Sequence, residues 1–400
     1  MIGDRNLNKK EFIKKYAVER NGTDSLKWDD LEARYKDMDL ISMWVADMDF
    51  KTSEKIIDAM ISRVNHGVFG YSFAPDNYYQ IFSNWMERHH NFPIQKEWVR
   101  FSTGIVTAIN WMINAYTNPG ESCLILTPVY YPFHNAVKNN NRKLVTVDLK
   151  NNDGYFNIDY EATEKAIVEN KVKLFIQCSP HNPAGRVWTE KELDTILDIC
   201  KKHEVLVISD EIHQDIILEN KKFIPAAIVS DGKYRDNLIT LSSASKTFNI
   251  AGLLHSHIVI TDENLRCIYD EYIKKINQTE TNIMGITATQ AGYAYGEEWL
   301  SNVLEVIRDN YEYVKTELNE KAPRVILSAL EGTYLLFLDL RNYIDPENTK
   351  EFIQDQCRLA VDFGEWFGDN YKGFVRLNLA TDPKYVQKAV FNIVKAIQKL

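Results

Sequence analysis

Through the middle of the chain, apolar and polar positions fall in blocks rather than in single alternation. Residues 174–178 form a short, largely apolar run, Ser179-Pro180-His181-Asn182-Pro183-Ala184-Gly185 reads as a loop, and residues 189–203 have helical spacing. Thr189 with Glu192 makes a capping box at the start of that helix. Residues 205–209 follow as an apolar, β-branched run ending at Asp210, so strand, helix and strand are spaced as a parallel crossover unit. Residues 99–102, 123–126, 237–241 and 255–260 repeat the strand signature, with helical stretches between several of them. From about Gly296 the pattern changes to a long helix over 299–319, strands at 334–339 and 374–379 and a last helix over 383–400, which reads as a second lobe. The fold class expected is α/β, with a mostly parallel central sheet in a large domain and a smaller α+β domain.

Composition narrows the functional classes. A chain of 400 residues with 45% hydrophobic content can bury a large core. Its net charge of -9, with both signs interspersed, gives no basic footprint for nucleic acid and favours small solutes as partners. No apolar run approaches the roughly 20 residues that cross a bilayer. The polar, mixed-charge stretch over residues 1–28 lacks the apolar segment of a signal peptide, so a mature cytoplasmic start is expected. Five scattered cysteines without a Cys-x-x-Cys pair point to reduced thiols rather than a disulfide framework. Cys178 and His181 have metal-like spacing, but one pair without a second is ordinarily coincidence, and no metal is expected.

In open α/β sheets, ligands bind beyond the carboxyl ends of the strands, and the polar residues placed there form a set. Thr103-Gly104-Ile105-Val106 opens a helix after one strand, Tyr130 and Tyr131 follow another, Asn182 a third, Asp210 ends a fourth, and Ser243 and Lys246 follow a fifth. Lys246, on a short polar loop, suits condensation of its amine with an aldehyde and transfer of a Cα proton. Asp210 suits a protonated pyridine nitrogen, because a partly buried carboxylate keeps that nitrogen charged. Gly104, Ile105 and Ser243 can supply backbone N–H groups at a helix start and a hydroxyl for a phosphate, and Tyr130 an aromatic face for a ring.

The blocks Ser179-Pro180-His181-Asn182-Pro183-Ala184-Gly185-Arg186, Ser209-Asp210-Glu211-Ile212-His213 and Ser245-Lys246-Thr247-Phe248-Asn249 resemble, in order and spacing, those of fold type I aminotransferases. Met43-Trp44-Val45-Ala46-Asp47-Met48-Asp49-Phe50, Phe69-Gly70-Tyr71, Glu331-Gly332-Thr333-Tyr334 and Val375-Arg376-Leu377-Asn378 are similar to those of the MalY/PatB-like, cystalysin-like cystathionine β-lyases. The resemblance covers nearly the whole chain. It implies pyridoxal 5'-phosphate as cofactor, carried by Lys246, with Asp210 on the pyridine nitrogen, Asn182 on the ring hydroxyl oxygen and His213 near the ring. It implies Arg376 as the clamp on the substrate α-carboxylate and Tyr131 facing the substrate. It also implies a homodimer with shared active sites, in which Tyr71 reaches the neighbouring cofactor's phosphate. His213 stands where many transaminases have tyrosine, and Leu254 where they commonly have a phosphate-binding arginine; both departures match the lyase branch. The domain division expected is an N-terminal segment over 1–50 packing with the small domain, a large cofactor-binding domain over 51–295 and a small domain over 296–400.

A lysine in a serine-rich loop is ordinarily a solvated surface residue, and an aspartate after a strand is often a helix cap; the weight lies in their joint placement with Asn182 and a phosphate-competent helix start. His255 and His257 share one strand face with no carboxylate nearby and are read as packing residues. The activity expected is a carbon–sulfur β-lyase that cleaves L-cystathionine or a related cysteine S-conjugate to a thiol, pyruvate and ammonia. An aminotransferase of the same fold is the nearer alternative, and a regulatory protein that contacts a transcription factor the more distant one.

Overall fold

The computed structural model describes residues 7–218, 220–278 and 281–400, and a seven-stranded sheet forms its centre. In chain order the strands are β1 (Val99–Ser102), β2 (Ser122–Thr127), β3 (Lys143–Asp148), β4 (Val172–Cys178), β5 (Leu206–Asp210), β6 (Leu238–Ser242) and β7 (Ser256–Val259). Their spatial order is β1-β7-β6-β5-β4-β2-β3. Strands β2 to β6 pair in parallel, whereas β7 runs antiparallel to both β6 and β1. Between β6 and β7 lie only the four-residue helical turn Ala244–Thr247 and the 3-10 turn Ala251–Leu253, too short to carry the chain back across the sheet, so β7 returns in the opposite direction.

The main sheet is covered on both faces, which is why its inner strands read as continuous apolar runs. Cys123 and Ile125 of β2 pack with Ile109 and Met112 of the helix Ile105–Tyr116, while Leu124 and Leu126 point into the other cluster, with Phe175, Val207 and the Leu193–Ile196–Leu197 face of Glu190–Lys202. The capping box forms as expected: Thr189 Oγ1 accepts from the Glu192 N–H at 3.3 Å, and a Glu192 carboxylate oxygen accepts from the Thr189 N–H at 2.8 Å. The outer strand β3 is largely exposed, with Val145 alone buried and Lys143, Thr146 and Asp148 open to solvent at the sheet edge.

A second, antiparallel sheet holds β8 (Ile326–Leu327), β9 (Leu335–Asp339), β10 (Asp362–Phe363) and β11 (Phe374–Asn378) in the order β8-β9-β11-β10. The helices Glu297–Lys321 and Pro383–Ile397 pack on each other beside it. The early chain joins this part: Ile41–Ser42 pairs in parallel with Leu359–Ala360. Residues 44–50 then cross from the second sheet to the strand ends of the first. They are anchored by Asn378, which donates to the Val45 and Asp47 carbonyls at 2.6 Å each, and by Asn249, which donates to those of Met48 and Phe50 at 2.9 and 2.8 Å. Asp49, fully buried, accepts from Lys27 Nζ at 2.7 Å and Trp28 Nε1 at 2.9 Å. No helix among the described residues is long and apolar enough to cross a membrane.

Candidate active site

At the carboxyl ends of the parallel strands the structure leaves a cavity of about 380 Å³. Asp210, Asn182, Lys246, Tyr130, His213, Gly104 and Ile105 all line it, together with Ala46, Thr103, Thr107, Cys178, Ser245, Leu254 and Ser256.

Lys246 sits in the Ala244–Thr247 turn directly after β6. Its Nζ donates to the Ala46 carbonyl at 2.6 Å, an oxygen that also accepts from Tyr334 OH at 2.8 Å. Burial lowers the Lys246 amine to about 8, with Asp47 and Asp210 opposing and Arg376 adding to the drop. The amine therefore gives up its proton far more readily than an ordinary lysine, as a nucleophilic amine needs. Asp210 ends β5; its carboxylate accepts from the Ile212 N–H at 3.1 Å, and burial pushes it up to about 7 against that hydrogen bond and the Lys246 charge. A buried carboxyl this poorly satisfied gains from a cationic partner. His213 is buried, with its pKa well below the ordinary histidine value through desolvation and the charges of Lys246 and Arg376, so it is neutral, and its Nδ1 has no partner.

Asn182 leaves β4 through the Ser179–Gly185 loop, and its Oδ1 accepts from Arg376 Nη1 at 2.9 Å. Arg376, on β11, is buried and also reaches the Trp44 carbonyl at 3.2 Å and the Asp362 carboxylate directly across the β10–β11 pair. Its Nε has no partner, and with one N–H of Nη1 this leaves two of the five guanidinium donors uncommitted. The opposite end of the cavity is built from backbone: Gly104 caps the helix Ile105–Tyr116 with no side-chain cap bond, leaving first-turn N–H groups available beside the Thr103, Thr107 and Ser245 side chains. A Cβ on Gly104 would meet no atom within 4 Å, so the fold itself does not demand glycine there. Leu254 stands in this part of the lining, and no arginine does.

Four expected residues lie outside the cavity lining: Arg376, which is tied to it through Asn182, and Ser243, Tyr131 and Tyr71. Ser243 is fully buried, donating to the His255 carbonyl at 2.9 Å and accepting from the Ser245 N–H at 3.1 Å; it caps the lysine turn, and Ser245 takes its place in the lining. Tyr131 is outside the cavity wall, its ring 5.3 Å from Tyr130 and 6.2 Å from Trp366. Tyr71 is 93% exposed, on a segment that also exposes Val68, Phe69 and Phe73. His255 and His257 both meet Tyr78 OH, at 2.7 and 2.5 Å, within aromatic packing. Cys178 and His181 face backbone carbonyls, Sγ to Pro180 in the same loop at 3.3 Å and Nε2 to Pro128, after β2, at 2.8 Å. Sequence reasoning did not single out Ala46, Thr107, Ser245 or Asp362; of these, Ala46 and Ser245 lay in quoted motifs.

An amine poised to form an imine, a buried carboxyl short of partners, an aromatic wall and an uncapped helix start suit a phosphorylated pyridine aldehyde, and the residues present fit pyridoxal phosphate. The aminotransferase class I and II family model matches residues 39–393, and the chain belongs to that family. Within it, the cystathionine beta-lyase PatB of Bacillus subtilis is 34% identical over 380 residues, covering 95% of this chain and 98% of its own. Among solved structures, cystalysin from Treponema denticola, which contains a pyridoxal 5'-phosphate cofactor, superposes with a TM-score of 0.91 at 32% identity, covering 96% of this chain and 98% of its own. The pyridoxal-phosphate-bound C–S lyase from Staphylococcus hominis gives 0.90 at 33%, covering 98% and 99%.

Proposed function

We propose that this protein is a pyridoxal-phosphate-dependent carbon–sulfur β-lyase that converts L-cystathionine or a related cysteine S-conjugate to a thiol, pyruvate and ammonia. The observation that carries this reading is the convergence of Lys246, Asp210, Asn182 and Arg376 on one site, in a chain similar over nearly its whole length to a cystathionine beta-lyase and to C–S lyases.

When bound, pyridoxal phosphate supplies an aldehyde for the substrate's amino group and a ring that takes up the electron pair left at Cα. Lys246 would hold the cofactor and, once displaced, take the Cα proton on Nζ, an amine already held near 8. Asp210 would pair with the pyridine nitrogen, relieving its own buried carboxyl; Asn182 and the neutral His213 would reach the ring hydroxyl side, and Tyr130 would cover the ring face. The N–H groups of Gly104 and Ile105 and the Ser245 hydroxyl would take the phosphate, with Ser243 holding the turn beneath. Arg376, kept in place by Asp362, Asn182 and the Trp44 carbonyl, would receive the α-carboxylate, and Tyr131 would stand on the substrate side.

The phosphate end carries no arginine in its lining, which supports a contribution from a second subunit. The exposed Tyr71, among exposed Val68, Phe69 and Phe73, supports a homodimer in which that loop reaches the neighbouring site. A cytoplasmic location accords with five unpaired cysteines, four of them buried.

The test is a visible spectrum of the purified protein, then addition of L-cystathionine without any keto acid. A visible cofactor band with pyruvate and free thiol appearing together is the expected result. Turnover that depends on an added keto acid would instead make it an aminotransferase, and no band after supplying pyridoxal phosphate would overturn the reading.

A further inference from the structure

One cation near the site has no part in the roles above. Arg34, in the short helix Leu31–Tyr35, places its guanidinium carbon 4.9 Å from the centre of the Trp44 ring and 4.5 Å from that of Trp366. Two aromatic faces orient a guanidinium while leaving its in-plane N–H donors free for a planar anion. Arg34 is exposed, and no carboxylate among the described residues stands within ion-pair distance of it; the buried Asp362, joined to Arg376, feels its charge, and the Tyr131 and Tyr35 side chains lie beside it.

Trp44 lies between two guanidinium groups, with Arg376 on its carbonyl at 3.2 Å and Arg34 on its indole. On the other side, Trp366 meets Tyr131 edge to face at 6.2 Å and Tyr131 meets the cavity-lining Tyr130 at 5.3 Å, so one run of aromatic rings leads from the cavity wall to Arg34. Asp362 pairs directly with Arg376, whereas it acts on Arg34 only at longer range and without a contact. A ligand with one carboxylate at Arg376 and a chain leading outward along these rings therefore meets a second positive charge at its far end.

We propose that Arg34 is a specificity residue that receives a second carboxylate on the thiol side of the substrate, so that the site favours dicarboxylic cysteine S-conjugates over those with short neutral S-substituents. This rests on the reading of the cavity as an amino-acid site with Arg376 at the α-carboxylate.

The test titrates the visible band of the cofactor-loaded protein with two amino acids of equal chain length that carry no leaving group. L-2-aminoadipate has a distal carboxylate, and L-norleucine does not. The unaltered protein should bind the first at least about tenfold more tightly, as one charge-assisted contact allows. Arg34→Gln should remove that ratio while leaving norleucine binding within roughly twofold, and Arg34→Lys should keep part of it. No preference in the unaltered protein, an unchanged ratio in Arg34→Gln, or equal weakening of both ligands would overturn the proposal. Pyruvate release from S-methyl-L-cysteine, which lacks the second carboxylate, reports on the lyase reading separately; if it fails, the binding ratio still decides the role of Arg34.

Discussion

Asp210 and Asp215 lie on the same stretch of chain, both buried, and their carboxyls are driven in opposite directions. Burial pushes Asp210 up to about 7, because only the Ile212 N–H and the Lys246 charge work against it. Burial acts on Asp215 as well, but His90 at 2.7 Å, Thr247 at 2.7 Å and Trp85 at 3.1 Å outweigh it and hold that carboxyl below its ordinary value. The first is short of partners and open to a ligand. The second is saturated, and through Thr247 it fixes the turn that carries Lys246. Burial alone therefore does not mark a functional carboxylate; the number of donors already present separates a group waiting for a partner from one that holds the framework.

The largest expected effect removes the residue between them. Lys246→Ala should abolish both the visible cofactor band and pyruvate formation, and a variant that keeps either would take Lys246 out of its role. Asp210→Asn should next slow turnover on the order of 10²-fold or more, by analogy with loss of one electrostatic stabiliser. The same change should not destabilise the cofactor-free protein. The Asp210 carboxyl has a raised pKa when folded, so its contribution to stability is full below the ordinary carboxylate value near 3.8 and is lost as pH rises through about 7. Thermal melts of the cofactor-free protein should thus show Asp210→Asn gaining on the unaltered protein across that window.

Asp215→Ala should do the reverse, lowering stability by about 3–5 kcal/mol because it strands buried donors. Its sign with pH is opposite: the Asp215 contribution is present above the unfolded carboxylate value and lost as pH falls through the lower folded value. Urea unfolding at several pH values checks both halves, and a destabilised Asp210→Asn beside a neutral Asp215→Ala would break the comparison. Smallest is Thr247→Val, which removes one of the three side-chain donors and should cost about 1 kcal/mol, read in the same melts.

The same pair shows where the sequence was legible. Asp210, Asn182 and Lys246 could be found because parallel strands buried on both faces are written as apolar runs, and the polar residue ending each run sits at the sheet rim whatever the rest of the fold does. Asp215 could not, since two of its donors come from the helix Asp76–His90, more than a hundred positions earlier, as the 130-residue and 125-residue separations of Trp85 and His90 show. Asp362 was hidden for a related reason: a two-residue strand has no periodicity, and only the cross-strand register sets it against Arg376. Ser243 and Ser245 look alike in sequence, and the choice between them is made by backbone geometry, the extended Ser243 turning its hydroxyl back to cap the lysine turn. The helix ends shifted slightly, with 299–319 observed as Glu297–Lys321 and 383–400 as Pro383–Ile397, because capping rather than apolar spacing sets where a helix stops.

The Ala46 carbonyl ties Lys246 and Tyr334 together across sequence separations of 200 and 288 residues, and the neighbouring Trp44 carbonyl reaches Arg376 across 332. On the ribosome this sets an order of events. A nascent chain released as far as β7 has every strand of the large sheet in hand, while the segment that roofs the cavity still waits for the tyrosine and arginine that hold it down. The ability to retain a substrate therefore arrives with the last part of the chain to be synthesised.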